Sequence, residues 1–590
     1  MMTYRAPLRE MQFVLYEVLN GDTVLPELPG CEDATREIMD AMLTEGAKLA
    51  ENVLAPLNTS GDREGCHYDT ETKSVKTPEG FPDAYRQFAE AGWTALAGPV
   101  EYGGQGLPHT LNTLAEEMVC SANLSLGMYP GLTHGAVNAL TSYGSDELKE
   151  KYLPKLISGE WSGTMCLTEP QCGTDLGLIR TKAEPQADGS YAITGNKIWI
   201  TGGEHDLVDN IVHLVLAKLP DAPGGSKGIS LFLVPKFLDD GSRNPAFCGG
   251  LEHKMGIKAS ATCVMNFENA KGWLIGEPHK GLQAMFVMMN SARLMVGLQG
   301  LGIAEAAYQV SRDFAKERLQ SRSLAGPQAP EKAADPIIVH PDVRRMLLRQ
   351  KATIEGGRAL AYFTSMQLDI AHKAATEEER QQADDMVQLL TPIVKAFLTD
   401  EGFFCANDGL QLMGGSGFTQ DWPVEQFVRD SRITRIYEGT NGIQALDLVG
   451  RKLGHAGGRA VKSFFAMLDS YIKTEGGVPF GDELKAATGR LQKATMWLMQ
   501  NGMSDREQAG SAATPYLRLF ALTAIAYFWS RMVVTAEQAL ADGSTETDFY
   551  AAKKETAAFY MHKLLPQTLS LLAEIETGKD SLMGMTADQF

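Results

Sequence analysis

One carboxylate, Glu438, stands where it could do acid–base chemistry. Residues 429–444 read RDSRITRIYEGTNGIQ. An apolar and cationic run (ITRIY) precedes the glutamate, and Gly439, Thr440, Asn441 and Gly442 follow it, a composition that turns the chain and exposes backbone N–H groups. A glutamate leaving an apolar segment for a tight turn is held rigidly and partly desolvated, the circumstances that make a carboxylate a general base. In isolation E-G-T-N reads as a surface glutamate before a loop, so the longer string has to decide. Two other segments have site-like composition. Residues 165–174 (MCLTEPQCGT) pass from a strand-like start into a Pro and Gly turn, which lets backbone amides and the Thr168 hydroxyl face a flat polar ring edge. In residues 199–201 (WIT) Trp199 and Thr201 alternate with Ile200; by composition alone Trp199 reads as a core residue.

These segments need elements to hold them. At 590 residues the chain exceeds what one core usually supports, so several domains are expected. Apolar residues fall at helical spacing over 8–19 and 35–53, and again from Phe81 until Gly92. A further helix is expected to begin near Thr110, with helices continuing through Leu156. At Glu160 the period shortens to near-alternation with turn punctuation, and runs such as 211–216 (IVHLVL), 229–234 (ISLFLV) and 263–267 (CVMNF) are rich in strand formers. Long helical patterns return after Gly281. The stretch 377–382 (EEERQQ) reads as a solvated helix start, and 323–336, with three prolines, as a mobile connection. The fold class expected is mostly α with a central β-domain. The boundaries are an N-terminal extension over 1–34, a helical domain over 35–160, a β-domain over 161–281, a helical bundle carrying Glu438 over 282–452, and an additional helical domain over 453–590.

Bulk properties narrow the function. A formal net charge of −19 and a pI near 5.1 argue against nucleic acid or an anionic membrane as partner. Eight scattered cysteines form no C-x-x-C pair and no zinc spacing, so reduced thiols and no metal are expected. The first residues lack the apolar core of a signal peptide, and the apolar stretch 519–530 is too short to span a bilayer. A bacterial cytoplasmic location and no integral membrane association are the expectation.

Residues 411–418 (QLMGGSGF), Trp422-Pro423-Val424 and RDSRITRIYEGTNGIQ together resemble the C-terminal signature of the acyl-CoA dehydrogenases; residues 168–175 (TEPQCGTD) and 199–201 resemble that family's other two markers, in the family's order. The resemblance covers roughly residues 81–451. It implies a helical N-domain, a β-barrel middle domain and a helical bundle, with FAD as cofactor and an acyl-CoA thioester as substrate. It implies Glu438 as the base that takes the α-proton, and the Glu438 backbone N–H, with a flavin hydroxyl, as donors to the thioester oxygen. Cofactor positions carried over are Met165, Leu167, Thr168, Gly173, Thr174, Trp199, Ile200, Thr201, Arg318, Gln320, Gln411, Gly414, Gly415, Thr440 and Asn441. Those for substrate are Thr174, Asn290, Arg293, Tyr437 and Gly439. Asn290 stands where many relatives have Asp, which weakens the carry-over at that side chain. Arg318 and the Gln411 segment are expected to reach a neighbouring subunit's FAD, hence a homodimer, and an electron-transfer flavoprotein is the expected electron acceptor.

Other readings stay open at this point. The length, the N-terminal stretch and residues 438–453 resemble long family members of sulfonium-compound breakdown, whose thioether substrate is 3-(methylthio)propanoyl-CoA. Ordinary short- to long-chain acyl-CoAs are the alternative, and an acyl-CoA oxidase shares the architecture. Some relatives bind DNA through a basic C-terminal region, but over 455–590 only 13 Lys and Arg stand against 15 Asp and Glu, which offers phosphate no footprint. The glycines of 297–302 (GLQGLG) have the wrong spacing for a dinucleotide loop and read as close helix packing. His134 and His253 read as ordinary structural residues.

Overall fold

The computed structural model describes residues 4–590, which divide into two compact units, mainly Thr44–Met295 and Pro7–Leu43 with Val296–Phe590. In the first unit, helices Phe81–Glu90, His109–Tyr143 and Asp146–Ile157 precede a sheet of seven strands. The period change at Glu160 is realised at once, because the first of these strands is Trp161–Cys166. Its parallel neighbour Asn210–Lys218 pairs on its other edge with Ile229–Pro235, which pairs with Thr262–Ile275. Thr262–Ile275 pairs with Tyr191–Thr201, that strand with Lys182–Pro185, and Lys182 meets Lys218. The strands therefore close into a barrel, and closure removes free sheet edges. Every residue of Ile229–Pro235 is buried, as a strand covered on both faces requires.

The helix His109–Tyr143 is two helical segments joined at Asn123, whose backbone leaves helical geometry and whose Oδ1 accepts the Leu126 N–H, the bond an N-cap makes. His134, in its second segment, is half-buried beside His109, and desolvation holds its pKa down to about 3. His253 lies exposed.

The second unit is helical. Helices Pro341–Lys373, Glu377–Met413 and Val424–Thr434 form the bundle with the later part of Gly281–Glu317. The acidic start at Glu377 is a capping box: Thr376 Oγ1 accepts the Glu379 N–H and the Glu379 carboxylate answers to Thr376. The 297–302 glycines do pack helices closely. A Cβ on Gly300 would lie 2.4 Å from the Leu398 carbonyl oxygen, and one on Gly402 2.4 Å from that of Gly300. Residues 323–336, read as a mobile connection, are instead gathered on the Asp335 carboxylate, which accepts the backbone N–H groups of Ser323, Gln328 and Ala329 and pairs with Arg322. Those donors hold the Asp335 carboxyl well below the usual range.

Helices Arg459–Ile472, Gly481–Trp497, Arg506–Ala541, Thr547–Phe559 and Gln567–Glu576 make the additional domain. Arg506–Ala541 is long and apolar enough to cross a membrane, but 83% of its apolar window is buried within the protein, the behaviour of a core helix. Trp529 on it is fully buried and donates its indole N–H to the Ala352 carbonyl at 3.1 Å. The N-terminal segment belongs to this unit. Phe13 and Leu15 are fully buried, Arg9 lies over the Phe549 ring, and Lys553 joins Glu10 to Glu355.

Candidate active site

In the second unit, helix Val424–Thr434 buries Val424, Phe427, Asp430 and Thr434, spaced to form one face. It ends at Arg435, and the chain then turns through Glu438 (φ 57°) and Gly439 (φ 82°) before helix Asn441–Asp447 begins. Left-handed backbone is natural for glycine but costs a glutamate about 1–3 kcal/mol, so the surroundings must enforce it. They do so from several directions. Asn441 N–H closes the turn on the Arg435 carbonyl at 3.1 Å, and Thr440 Oγ1 caps the new helix by accepting from Ile443 N–H. Gln444 Nε2 donates to the carbonyls of Glu438 (3.0 Å) and Gly439 (3.2 Å). Lys395, fully buried on helix Glu377–Met413, donates to the Gly439 carbonyl (2.9 Å) and Asn441 Oδ1 (2.8 Å). Asn441 Nδ2 reaches Asp400 Oδ1 at 2.9 Å, and Asp400 pairs with Arg435. Tyr437 donates its hydroxyl to Gln299. Glu438 itself is half-buried. The carboxylate is thus carried on a backbone held by hydrogen bonds from two helices and from the turn itself, and fixed placement is what a general base needs.

In the first unit, residues 165–174 and 197–201 are laced together. Ile198 N–H donates to the Thr168 carbonyl at 2.9 Å. The fully buried Lys197 donates to the Leu167 carbonyl and to Glu169 Oε1, each at 2.9 Å. Glu169 also accepts from the Thr181 hydroxyl (2.6 Å) and from the backbone of Arg180 and Thr181. Burial pushes the Glu169 carboxyl up, but the Lys197 ammonium and these donors more than offset it and hold it at about 2. The strand bulges between Lys197 and Ile200, and Trp199 takes a left-handed φ of 59° there with its side chain 60% exposed. The reading of Trp199 as a core residue, suggested by composition alone, is therefore corrected: the bulge turns the ring outward while Ile200 fills the barrel core.

The remaining positions divide by what their side chains can reach. Met165, Thr168 and Thr201 are half-buried and Gly173 and Thr174 exposed. Leu167 and Ile200 are packed in the core, so any contact of theirs is through the main chain. The Asn441 side chain is engaged with the bundle, so any cofactor contact of Asn441 is through its main chain. Arg293 is 4% exposed and reaches Asn290 Oδ1 at 3.4 Å, one helical turn away. Arg318, Gln320, Gln411, Gly414 and Gly415 are exposed. The first two sit on a strand-like loop tied back by Gln320 N–H to the Asp335 carbonyl and Ile337 N–H to the Arg318 carbonyl. Among the described residues there is no His, Cys, Asp and Glu cluster fit for a metal ion. Lys395, Gln444, Lys197 and Glu169 were not singled out from the sequence. The one available signal was a charged residue inside an apolar helical run, as Lys395 is in residues 393–398 (IVKAFL).

The helical layer, the closed barrel and the bundle with its strained glutamate turn are the parts that the resemblance to the acyl-CoA dehydrogenases implies, and the comparisons with known proteins agree. Models of the acyl-CoA dehydrogenase N-terminal, middle and C-terminal domains match residues 40–160, 164–270 and 279–453, and an acetyl-CoA dehydrogenase C-terminal-like model matches 464–586. The chain is 43% identical to a 3-methylmercaptopropionyl-CoA dehydrogenase of Ruegeria pomeroyi over 99% of both chains. It is 35% identical to a broad-specificity linear acyl-CoA dehydrogenase of Mycobacterium tuberculosis over 100% of both. A Bacillus anthracis acyl-CoA dehydrogenase solved with FAD shares the fold, with a TM-score of 0.73, 22% identity and coverage of 97% of this chain and 92% of that one. The chain belongs to the acyl-CoA dehydrogenase family and is an oxidoreductase. The fold class expected from the sequence holds, including the additional C-terminal helical domain.

Proposed function

We propose that the protein converts an acyl-CoA thioester to its trans-2-enoyl-CoA, with Glu438 as the base that removes the α-proton. The observation that carries this is the left-handed backbone of Glu438, strain that persists only where the surroundings over-determine it and that concentrates at functional sites. Removing a proton beside a thioester carbonyl puts charge on the carbonyl oxygen, so donors aimed at that oxygen are needed; one such donor is worth on the order of 3 kcal/mol. The Glu438 backbone N–H, fixed by the same turn, is assigned that role.

Side chains accept protons but not hydrides, so a cofactor is required, and FAD supplies the hydride acceptor when bound. The residues fit such a group: Trp199 is exposed on the bulge, Ile198 N–H ties that strand to the Thr168 carbonyl, the Thr168 and Thr201 side chains are half-buried, and Gly173 and Thr174 are open. Met165, Leu167 and Ile200 would complete that ledge, and Gln411, Gly414, Gly415, Thr440, Arg318 and Gln320 are assigned to the cofactor's phosphate and adenosine parts. Arg318 and the Gln411 segment would serve a second copy's cofactor, so the protein is read as a homodimer. Asn290, Arg293, Tyr437 and Gly439 are assigned to the acyl-CoA.

The substrate best supported is 3-(methylthio)propanoyl-CoA, on the 43% identity along 99% of both chains. A second reading, linear acyl-CoAs, rests on the relative of broad specificity. An electron-transfer flavoprotein is the acceptor, and a cytoplasmic location suits that pairing. Glu438→Gln tests the base. The variant keeps the size and the backbone donor, so flavin content and the spectral perturbation by acyl-CoA should remain, while anaerobic bleaching of the flavin falls by at least about a thousandfold. Bleaching near the wild-type rate would show that another residue takes the proton. A panel of linear acyl-CoAs with the thioether substrate separates the two substrate readings.

A further inference from the structure

We infer that Lys395 is a positioning residue for the catalytic turn: its buried ammonium fixes Gly439 and Asn441 and thereby the direction of the Glu438 carboxylate. The inference rests on Glu438 being the base. Lys395 lies 43 positions before Glu438, on the middle of helix Glu377–Met413, with no exposed surface. A lysine is seldom fully buried unless its charge is met, and here the ammonium is directed at two oxygens of the turn, the Gly439 carbonyl at 2.9 Å and Asn441 Oδ1 at 2.8 Å. Gly439 follows the base directly, and its carbonyl is the hinge between the left-handed pair and the next helix. Asn441 relays the hold: its Oδ1 accepts from Lys395 and its Nδ2 donates to the Ala396 carbonyl, Thr399 Oγ1 and Asp400 Oδ1. One cation on a rigid helix therefore pins both residues that flank the tip of the turn. Gln444 also holds the Gly439 carbonyl, together with that of Glu438, but sits on the helix that the turn itself introduces, so it moves with the turn. Lys395 ties the turn to a different element.

A base displaced by about 1 Å can lose on the order of a hundredfold in rate. Lys395→Met should therefore retain FAD and the spectral perturbation by acyl-CoA, with ligand affinity changed less than about threefold, while flavin bleaching per bound flavin slows by about thirtyfold or more. The reading that separates positioning from mere stability is a double-mutant cycle with Glu438→Asp, which withdraws the carboxylate by one methylene. If Lys395 aims the carboxylate, the Glu438→Asp penalty is large beside Lys395 and shrinks to a few-fold in Lys395→Met. If Lys395 does not aim the carboxylate, the Glu438→Asp penalty is the same in Lys395→Met as beside Lys395, whether or not the single variant is slowed, and that overturns the inference. Lys395→Gln, whose amide can still donate to one of the two oxygens, carries the same cycle where Lys395→Met fails to accumulate. Failure of both to fold also overturns it, since the ammonium would then be a requirement of the bundle. Glu438→Gln measured alongside distinguishes the failures: a fully active Glu438→Gln removes the base, whereas an inactive one with unaffected Lys395 variants removes only the positioning role.

Discussion

Replacing Lys197 by Met removes the cation from a pair in which Lys197 is fully buried and Glu169 only 3% exposed. Breaking a buried pair by deleting one partner costs about 3–5 kcal/mol, because the other charge stays behind. Glu169 keeps the Thr181 hydroxyl and three nitrogen donors, from Gln171, Arg180 and Thr181, so the lower figure, about 3 kcal/mol, is expected. In a unit of this size that corresponds to a fall of roughly 6–12 °C in midpoint, at 2–4 °C per kcal/mol. The pH dependence has a definite sign. Glu169 titrates near 2 in the folded protein against an ordinary value of 4.5, so its stabilising effect is complete above about 4.5 and is lost as pH falls through about 2. Without Lys197 burial pushes the carboxyl back up, and the deficit of Lys197→Met is largest near pH 7 and narrows below about pH 4.5 as Glu169 protonates. Calorimetry of both proteins between pH 7 and 4, with flavin content measured in parallel, tests this. The released Leu167 carbonyl should also weaken flavin retention. An unchanged midpoint at pH 7, or a Glu169→Gln/Lys197→Met double variant no more stable than the single one, would refute the reasoning.

Gly300→Ala should destabilise the bundle by about 1–3 kcal/mol, since the new methyl meets backbone atoms of Leu398 and Thr399 that cannot rotate away; chemical denaturation checks it, and a neutral result would show that the helices slide apart freely. Sedimentation of the holoprotein should give a dimer, and Arg318→Ala should lower its flavin content; a fully active monomer would remove the cross-subunit assignment of Arg318 and Gln411.

The barrel was legible because its strands are short runs rich in strand formers between punctuated turns, and the start at Glu377 because acidic residues after Thr376 make a capping signal that needs no tertiary information. Glu438 was legible from its motif. What holds it was not, because Lys395 and Asp400 act from some 40 positions away, and spacing carries no trace of such pairing. The exposed posture of Trp199 depends on a register shift against Thr262–Ile275, a property of two strands rather than of either sequence. Residues 323–336 have the composition of a loose connection, but a single buried carboxylate, Asp335, supplies acceptors that composition does not reveal.

The clasp between residues near the two ends of the chain has a consequence for synthesis. Arg9 and Glu546 are 537 positions apart, so at ordinary rates of translation the first helix leaves the ribosome roughly 30–100 s before its partner exists. During that interval Phe13, Val14 and Leu15, at most 1% exposed in the finished protein, have no final cover and are open to chaperones or to other nascent chains. Lys553, which closes on Glu10 and Glu355 together, arrives near the end of this wait. Truncating the last domain would therefore leave Phe13 permanently without its aromatic partners Phe549 and Tyr550.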